Sequence, residues 1–489
     1  MIYRFETLNL ENTNRQMKNI GNYSFFVLLL QFSFLLAEAQ DNRPVYDRAM
    51  KEIQQLFNER QPDRIYEQAS NSYKTRMPKE KFTLGMKKFV AKTGQMQSFS
   101  FVDTAANGYN YAIKFENSDQ LFSILLDEEK KIIRMNFKEI PFVAKEKDYK
   151  VASSNPMKDS LDLWVEKFVR PYIQKENAAG TILAIIEGNK ERKYSYGTTD
   201  KTIQALPASS ESIFEIGSVT KVFTSLLLAK EVVEGKMTLN DPVNQYLPDS
   251  IPPLSYQNKT ISLMQLSNHT SGLPRLPENI FSGNVIIEDP YRHYTSDSLF
   301  HYLKNYKVVA QPGSRFSYSN LGAGLLGVIL ERQNSKTFAQ LLNENIFFAL
   351  GMNKTSLKDV GVIQGYDERG KASSNWHLGP LSGSGAIRST LDDMIIFMKA
   401  QLGSKNNLAN AIELSHKETF SAAEQTMGLG WRIEKLENQQ IFYHSGGTGG
   451  FRSFVAFNDT QQKAIVILSN TAVDVTNIGF SILEQALND

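Results

Sequence analysis

Ile213-Phe214-Glu215-Ile216-Gly217-Ser218-Val219-Thr220-Lys221 is the stretch on which the reading of this chain turns. A short extended run, Ile213 to Ile216, stops at a glycine, and Val222 to Glu234 then predicts a long helix with Ser218 in its first turn. Residues three apart on a helix share a face, so Ser218 and Lys221 can touch. A serine hydroxyl is a poor nucleophile until a neighbour takes its proton. A lysine does this when burial lowers its pKa, because desolvation disfavours the charged form. The helix N-terminus adds N–H groups and positive potential, suited to an oxyanion forming there. Alone the pattern is weak, since a chain of this size holds about one chance match. The plain alternative is an N-cap serine beside a surface lysine. No other serine in the sequence has a lysine three residues on.

Three further segments bear on that pair. Phe316-Ser317-Tyr318-Ser319-Asn320 lies downstream, after Gln311-Pro312-Gly313 and before a small-residue helix predicted over Leu321 to Glu331. A tyrosine shuttles a proton between nucleophile and leaving group when nearby cations make its phenolate accessible. An asparagine two residues on can hydrogen-bond a substrate amide. Tyr256-Gln257-Asn258 has the same triplet, so only context separates the two. The second segment is His444-Ser445-Gly446-Gly447-Thr448-Gly449-Gly450-Phe451-Arg452. Glycines beside an edge-like strand let another backbone approach. Such a strand can pair with a peptide and offer the Gly447 N–H as a second oxyanion donor beside that of Ser218. A phosphate loop is excluded because GxxxxGK[ST] is missing, and a triad role for His444 is weakened because no G-x-S-x-G elbow occurs. The third segment, Leu266-Ser267-Asn268-His269-Thr270-Ser271-Gly272-Leu273-Pro274, receives no chemistry; His269 reads as a histidine that holds a loop. The histidines are too scattered for a metal site.

Composition narrows the function classes. The 489 residues suffice for two or three domains, and 41% hydrophobic with 22% charged residues is ordinary for a globular protein. A net charge of +2 gives no basic footprint for nucleic acid. Cysteine is absent, which excludes disulfides, thiolate nucleophiles, iron–sulfur clusters and a lipidated cysteine. Phe25 to Leu36 is an apolar run of signal-peptide length, preceded by Lys18 and followed by Ala37-Glu38-Ala39. Export with cleavage near Ala39 is expected, leaving no stable membrane span; the alternative is an uncleaved anchor. Met17 would start a signal of more usual length.

After residues 1–39, a small α+β domain is expected over 41–150. Helices are predicted at Arg43 to Arg60, Asp63 to Thr75 and Lys79 to Lys92. Strands follow at Gln97 to Val102, Tyr109 to Phe115, Leu121 to Leu126 and Ile132 to Phe137, with turns such as Ala106-Asn107-Gly108. This order resembles the cystatin-like domains found in front of exported bacterial enzymes. The unit contains no histidine, so binding or spacing is its expected role. Residues 151–160 are polar and turn-rich and read as a linker. Beyond them come a helix (Leu161 to Gln174), a hairpin (Thr181 to Glu187 with Arg192 to Tyr196), a helical middle, late strands and a closing helix from Asn477. That order predicts one antiparallel sheet built from both chain ends.

The Ser-Val-Thr-Lys, Tyr-Ser-Asn and His-Ser-Gly segments, in this order and spacing with LSNHTSGLP between, resemble the serine β-lactamase and D,D-peptidase superfamily. The branch is that of class C β-lactamases and their carboxypeptidase, aminopeptidase and esterase relatives, and the match runs over 157–489. The resemblance implies an α+β fold with a five-stranded antiparallel sheet flanked by helices and an all-helical subdomain. Carried over by position, Ser218 is the nucleophile, and Lys221 and Tyr318 handle its proton. Asn320 holds the substrate amide, His444, Ser445 and Gly446 line the far wall, and Ser218 and Gly447 form the oxyanion hole. No metal or organic cofactor is implied. One departure matters: class C β-lactamases carry Lys-Thr-Gly where this chain has His-Ser-Gly, and histidine is mostly neutral at pH 7. Arg452 is a permanent cation that replaces the lysine if its strand aims it inward, and His444 does so if it is charged. The expected function is an exported serine hydrolase that forms an acyl-enzyme with small peptides, amides or esters, D-amino-acid peptides foremost. A β-lactamase is the alternative enzyme, and a non-hydrolysing penicillin-binding sensor is the alternative of another class.

Overall fold

The structure is a computed structural model that describes residues 42–488 apart from 106–107, 283–285, 287, 404–405, 424 and 437–438. The expected signal segment and its cleavage site lie outside the described residues, as do Ala106 and Asn107 of the predicted turn.

The first unit opens with the helix Arg43–Asn58, whose buried stripe is Tyr46, Met50, Ile53 and Leu56-Phe57. The expected second helix is two, Pro62–Glu67 and Asn71–Arg76. The break has a cause: Ala69 bridges to Ile132, and Ser70 turns to cap the next helix by accepting from Tyr73 N. Helix Lys79–Thr93 completes the helical half. Strands Met96–Ala105, Gly108–Phe115, Asp119–Leu126 and Ile132–Ile140 then pair in sequential antiparallel order. Period-two alternation buries Tyr111, Ile113 and Phe115 on one face, against Met50, Ile53 and Phe57 of the first helix. This core is separate from the two that follow.

Residues read as a linker are held in place. Arg170 donates to the Val151 carbonyl, and Asn155 donates to the Asp162 carbonyl and to Tyr196 Oη. Upstream, Lys147 Nζ donates to three carbonyls, those of Ile173, Lys175 and Ala178, at 2.8 to 2.9 Å. That burial lowers its pKa to about 8.

The second unit is organised by one antiparallel sheet. Its described strands, in spatial order, are Phe420–Ala422, Gln425–Met427, Arg432–Leu436, Gln439–Gly447, Arg452–Asn458, Lys463–Ser469, Gly180–Glu187 and Lys190–Gly197. Both chain ends contribute, as expected, but the sheet has eight strands where the resemblance implied five. The three additions are only three to five residues long, too short to show an alternating pattern. On the central strand Ile182, Ala184 and Ile186 face the helical subdomain, while Leu183 and Ile185 face helices Ser160–Ile173 and Thr476–Asn488. A strand covered on both faces reads as a continuous apolar run, which is what residues 182–186 are. Among the described residues no helix is long and apolar enough to cross a membrane.

The helix Thr220–Val233 runs through the larger core, with Thr220 to Ala229 all buried. A helix that is buried all round carries few charges. Lys221, 1% exposed, is therefore a conspicuous exception.

Candidate active site

The serine element is set by close backbone packing. Phe214–Glu215 pairs antiparallel with Arg388–Ser389, and Ile216 N donates to the Ile387 carbonyl. Gly217 follows in the left-handed region at φ +49°, where a side chain would stand 2.5 Å from Gly447 N. Gly446 is equally constrained, since its Cβ would lie 2.1 Å from the Ile216 carbonyl oxygen. These two glycines let the serine turn and the Gly446-Gly447 strand lie against each other. A 3₁₀ turn, Gly217–Val219, then delivers Ser218 to the helix start. The expected helical first turn is thus tighter than an α-helix, but the three-residue spacing still works.

Lys221 Nζ lies 3.0 Å from Ser218 Oγ and donates to the Ser384 carbonyl at 2.6 Å. Burial holds its pKa below the ordinary lysine value, with Arg275 and Arg432 adding to the effect against the pull of Tyr318. Nζ also stands 4.8 Å from the Tyr318 ring centroid. Burial alone would raise the Tyr318 phenol, but Lys221, the hydrogen bond to Ser218 and Arg275 outweigh it and bring the pKa below 10.0. Arg275 and Arg432 lie 5.1 and 5.8 Å from the same ring, so three cations surround Tyr318. The arrangement can move a proton from Ser218 by way of Lys221 and Tyr318, which share a coupled environment.

Residues 266–275 build the loop that carries Tyr318. The His269 carbonyl accepts from Ser317 N at 2.7 Å, and Asn320 N donates to the Arg275 carbonyl at 2.9 Å. Ser319 N donates to His269 Nδ1 at 3.2 Å, and Ser319 Oγ donates to the Pro274 carbonyl at 2.7 Å. The buried His269 ring packs on Tyr318 with centroids 4.4 Å apart. Ser319 caps the helix Asn320–Asn334 by accepting from Gly322 N. Asn320 Oδ1 is buried without a hydrogen-bond partner among the described residues and borders the pocket beside Ser218. It is free to accept from a substrate amide.

The third segment differs from expectation. Strand Gln439–Gly447 is interior as far as Tyr443, which pairs with Arg432, and only His444 to Gly447 lack a strand neighbour on that side. His444 itself is buried. Burial first, and then Lys221 and Arg432, push its pKa down to about 3. Nδ1 lies 2.8 Å from the Ser445 carbonyl, so Nδ1 carries the proton. The ring is neutral and is not the cation for a substrate carboxylate. Arg452 does not replace the lysine either. Its Nη1 donates to the Thr448 and Phe451 carbonyls, both at 2.9 Å, which bends the side chain back along the glycine loop. The structure thus brings Ser218, Lys221, Tyr318, Asn320, Gly446 and Gly447 together, with Ser445 half-buried beside them, and leaves Arg452 outside.

Sequence reasoning passed over Arg275 and Arg432. Arg275 directly follows the Leu266–Pro274 motif, so reading one residue further would have found it. Arg432 sits on one of the short strands that carried no pattern. Glu215 was also missed: it is buried against Arg388 at 3.0 Å and accepts from Trp376 N at 3.1 Å, fixing a wall of the pocket.

This fold and constellation define a member of the serine β-lactamase and D,D-peptidase superfamily. The chain belongs to the beta-lactamase family, whose profile, described as Beta-lactamase, matches residues 165–479. Residues 51–135 match a second profile, a protein of unknown function (DUF3887). The D-alanyl-D-alanine-carboxypeptidase/endopeptidase AmpH of Escherichia coli (strain K12) is 30% identical over 311 residues, 60% of this chain and 79% of that protein. Protein flp of Staphylococcus aureus (strain COL) is 27% identical over 325 residues, and the chain spans 62% of its length. Among solved structures, a beta-lactamase/D-alanine carboxypeptidase from Pseudomonas syringae aligns with a TM-score of 0.58 at 24% identity, covering 67% of this chain and 99% of that one. A class C beta-lactamase aligns with a TM-score of 0.59 at 22% identity, covering 69% and 98%. These two likenesses concern the fold.

Proposed function

We propose that the protein is an exported serine hydrolase that acts on D-amino-acid peptides and related esters through an acyl-enzyme. The observation that carries this reading is the buried, pKa-lowered Lys221 ammonium 3.0 Å from Ser218 Oγ. In acylation the Ser218 oxygen bonds the substrate carbonyl carbon, and its proton passes to Lys221 and Tyr318. The Ser218 and Gly447 N–H groups stabilise the oxyanion. Tyr318 then delivers a proton to the departing nitrogen or oxygen as the scissile bond breaks. Water, deprotonated by the same pair, cleaves the acyl-enzyme and restores Ser218. Asn320 Oδ1 orients the substrate amide. Arg275 and Arg432, beside Tyr318 on the leaving-group side, take the carboxylate of a departing D-amino acid in place of His444. Export is supported by the apolar run 25–36 and the Ala37-Glu38-Ala39 site. A β-lactamase ranks second, because the neutral His444 stands where class C enzymes place a lysine.

Labelling with a fluorescent penicillin and with a fluorophosphonate tests the nucleophile. Both should label the wild type and neither should label Ser218→Ala. Label retained by Ser218→Ala would remove Ser218 from its role. No label and no ester turnover in the wild type would favour a non-hydrolysing binding protein.

A further inference from the structure

The space beside Ser218 does not end there. The pocket that Ser218 and Asn320 border is narrow, about 20 Å³. Tyr291, Trp376 and Thr448 form its outer limit, and the same three residues also line a second cavity of about 550 Å³. That volume lies within the usual range for ligand sites. Its far wall comes from the first unit: Lys88, Ala91 and Lys92 of the helix Lys79–Thr93, and Asn117 from the turn after Gly108–Phe115.

The two units touch on both sides of this cavity. On one side the helix Lys79–Thr93 faces Phe281 and Ser282 across a smaller gap. On the other, Arg369 Nη2 donates to Asp119 at 2.8 Å and Lys371 Nζ donates to the Glu116 carbonyl at 2.5 Å. Arg369 also stacks 5.2 Å from the Phe142 ring centroid. The hairpin that carries Arg369 and Lys371 is tied to the glycine loop, because Tyr366 N donates to the Gly450 carbonyl at 3.1 Å. The first unit is therefore fastened to the same segment that lines the site.

We propose that the first unit forms the outer wall of the substrate groove and binds the acyl side of an extended peptide, several residues before the scissile bond. This rests on the hydrolase reading above, in which Tyr318 marks the leaving-group side. Tyr318 is not on the lining of the pocket that leads outward, whereas Asn320 is, so the groove lies on the acyl side. The lining is polar and suits a peptide. Lys92 pairs with Glu139 at 2.6 Å and Arg452 faces Glu368 at 3.7 Å. Lys88 makes no ion pair among the described residues, and the Lys371 ammonium meets a backbone carbonyl. Two cations thus remain for a carboxylate on the peptide, with Glu288 on the same lining as an acceptor for N–H groups. A small acyl group reaches only the inner pocket.

The test uses the full chain with three substrates: a small neutral ester, an acetylated D-Ala-D-Ala dipeptide, and an acetylated pentapeptide with a central glutamate and the same D-Ala-D-Ala end. In the wild type kcat/KM should favour the pentapeptide over the dipeptide by about 10-fold, the loss or gain of one good contact set. Ala91→Trp, which fills the groove from the first unit, and Lys88→Glu should each remove that preference while leaving ester and dipeptide within about twofold. An equal fall on all three substrates, or a pentapeptide rate untouched by both variants, would overturn the proposal. Should Ala91→Trp unfold the first unit by circular dichroism, the exposed Lys88→Glu decides alone. If the wild type shows no Ser218-dependent turnover of any substrate, the hydrolase reading fails first. Calorimetric titration of the pentapeptide then decides the groove: weaker binding by Lys88→Glu supports it, and equal or undetectable binding overturns it.

Discussion

The two sides of Ser218 are built in opposite ways. On the Lys221 side every group is buried and held by short-range contacts: Lys221, His269 and His444 are each 2% exposed or less. On the Trp376 side the lining is polar, partly exposed and drawn from segments hundreds of residues apart, Lys88 to Arg452. A dry, rigid cluster shifts pKa values because charge has nowhere else to be solvated. A wet, open groove shifts none, but it can accommodate length and sequence in a ligand. Chemistry and substrate choice are therefore separable here, and mutations on the two sides should show different kinetic signatures.

The largest expected effect lies on the buried side. Ser218→Ala and Lys221→Ala should each lower kcat for a neutral ester by on the order of 10⁴-fold, and Tyr318→Phe by about 10²-fold or more. KM should change little. Because Lys221 and Tyr318 both lie below their ordinary values, the acid limb of ester kcat/KM should fall below 10.5, as a property of the pair. A limb unchanged in Lys221→Ala with residual activity would break the assignment.

Next comes the carboxylate site. Arg275→Ala and Arg432→Ala should each cost about 10- to 100-fold in kcat/KM on D-alanyl peptides, as expected for one charge-assisted hydrogen bond. The neutral ester should be nearly unaffected. Equal losses on both substrates would mean that the arginines serve Tyr318 and not the substrate.

How much of this was legible in the sequence follows the same division. Ser218 and Lys221 could be read because helix spacing is local and the strand-glycine-helix signal surrounds them. Tyr318 and Asn320 could be read from their chemistry, and the motif at Leu266–Pro274 was seen without its purpose, since hydrogen bonds between loops fifty residues apart leave no periodic trace. The charge state of His444 was misjudged for a physical reason. Its side depends on strand parity, and its burial depends on Arg432, which arrives on a strand too short to recognise. The wall from Lys88 to Asn117 was invisible because it needs the relative placement of two units.

A smaller effect concerns pH. A charged His444 would make peptide kcat/KM fall as pH rises through 6.5. With the folded pKa near 3, His444 is neutral throughout this range, so the ratio of peptide to ester kcat/KM should stay flat within about twofold. The buried histidines should appear in stability instead. His416 is lowered to about 4, His444 to about 3, and His269 also lies well below 6.5, all chiefly through burial. Their depressed folded values mean that the unfolded chain binds more protons on acidification. Stability is full above pH 6.5 and is lost as pH falls towards those values. A melting temperature that is level between pH 8 and 6.5 and drops steadily to pH 4 is expected. A level curve down to pH 4 would contradict the burial of these rings.

The smallest expected effect separates the two units. Every group assigned to bond making lies after residue 200, so ester hydrolysis should survive removal of the first unit within about twofold. Where the cut falls should matter for stability and not for rate. A chain starting at Val143 keeps Lys147 on the carbonyls of Ile173, Lys175 and Ala178, and keeps Val151 on Arg170. A chain starting at Pro156 loses all four contacts, three of them from a charged donor to buried carbonyls, and exposes the apolar seat of Val151. Each charge-assisted bond contributes about 1.5 to 3 kcal/mol, so the shorter chain should melt several degrees lower. Its ester kcat at 25 °C should match that of the longer one. If instead both truncated chains melt alike while the ester rate of both collapses, the first unit supports the buried side of Ser218 as well as the open one, and the division between the two regions does not hold.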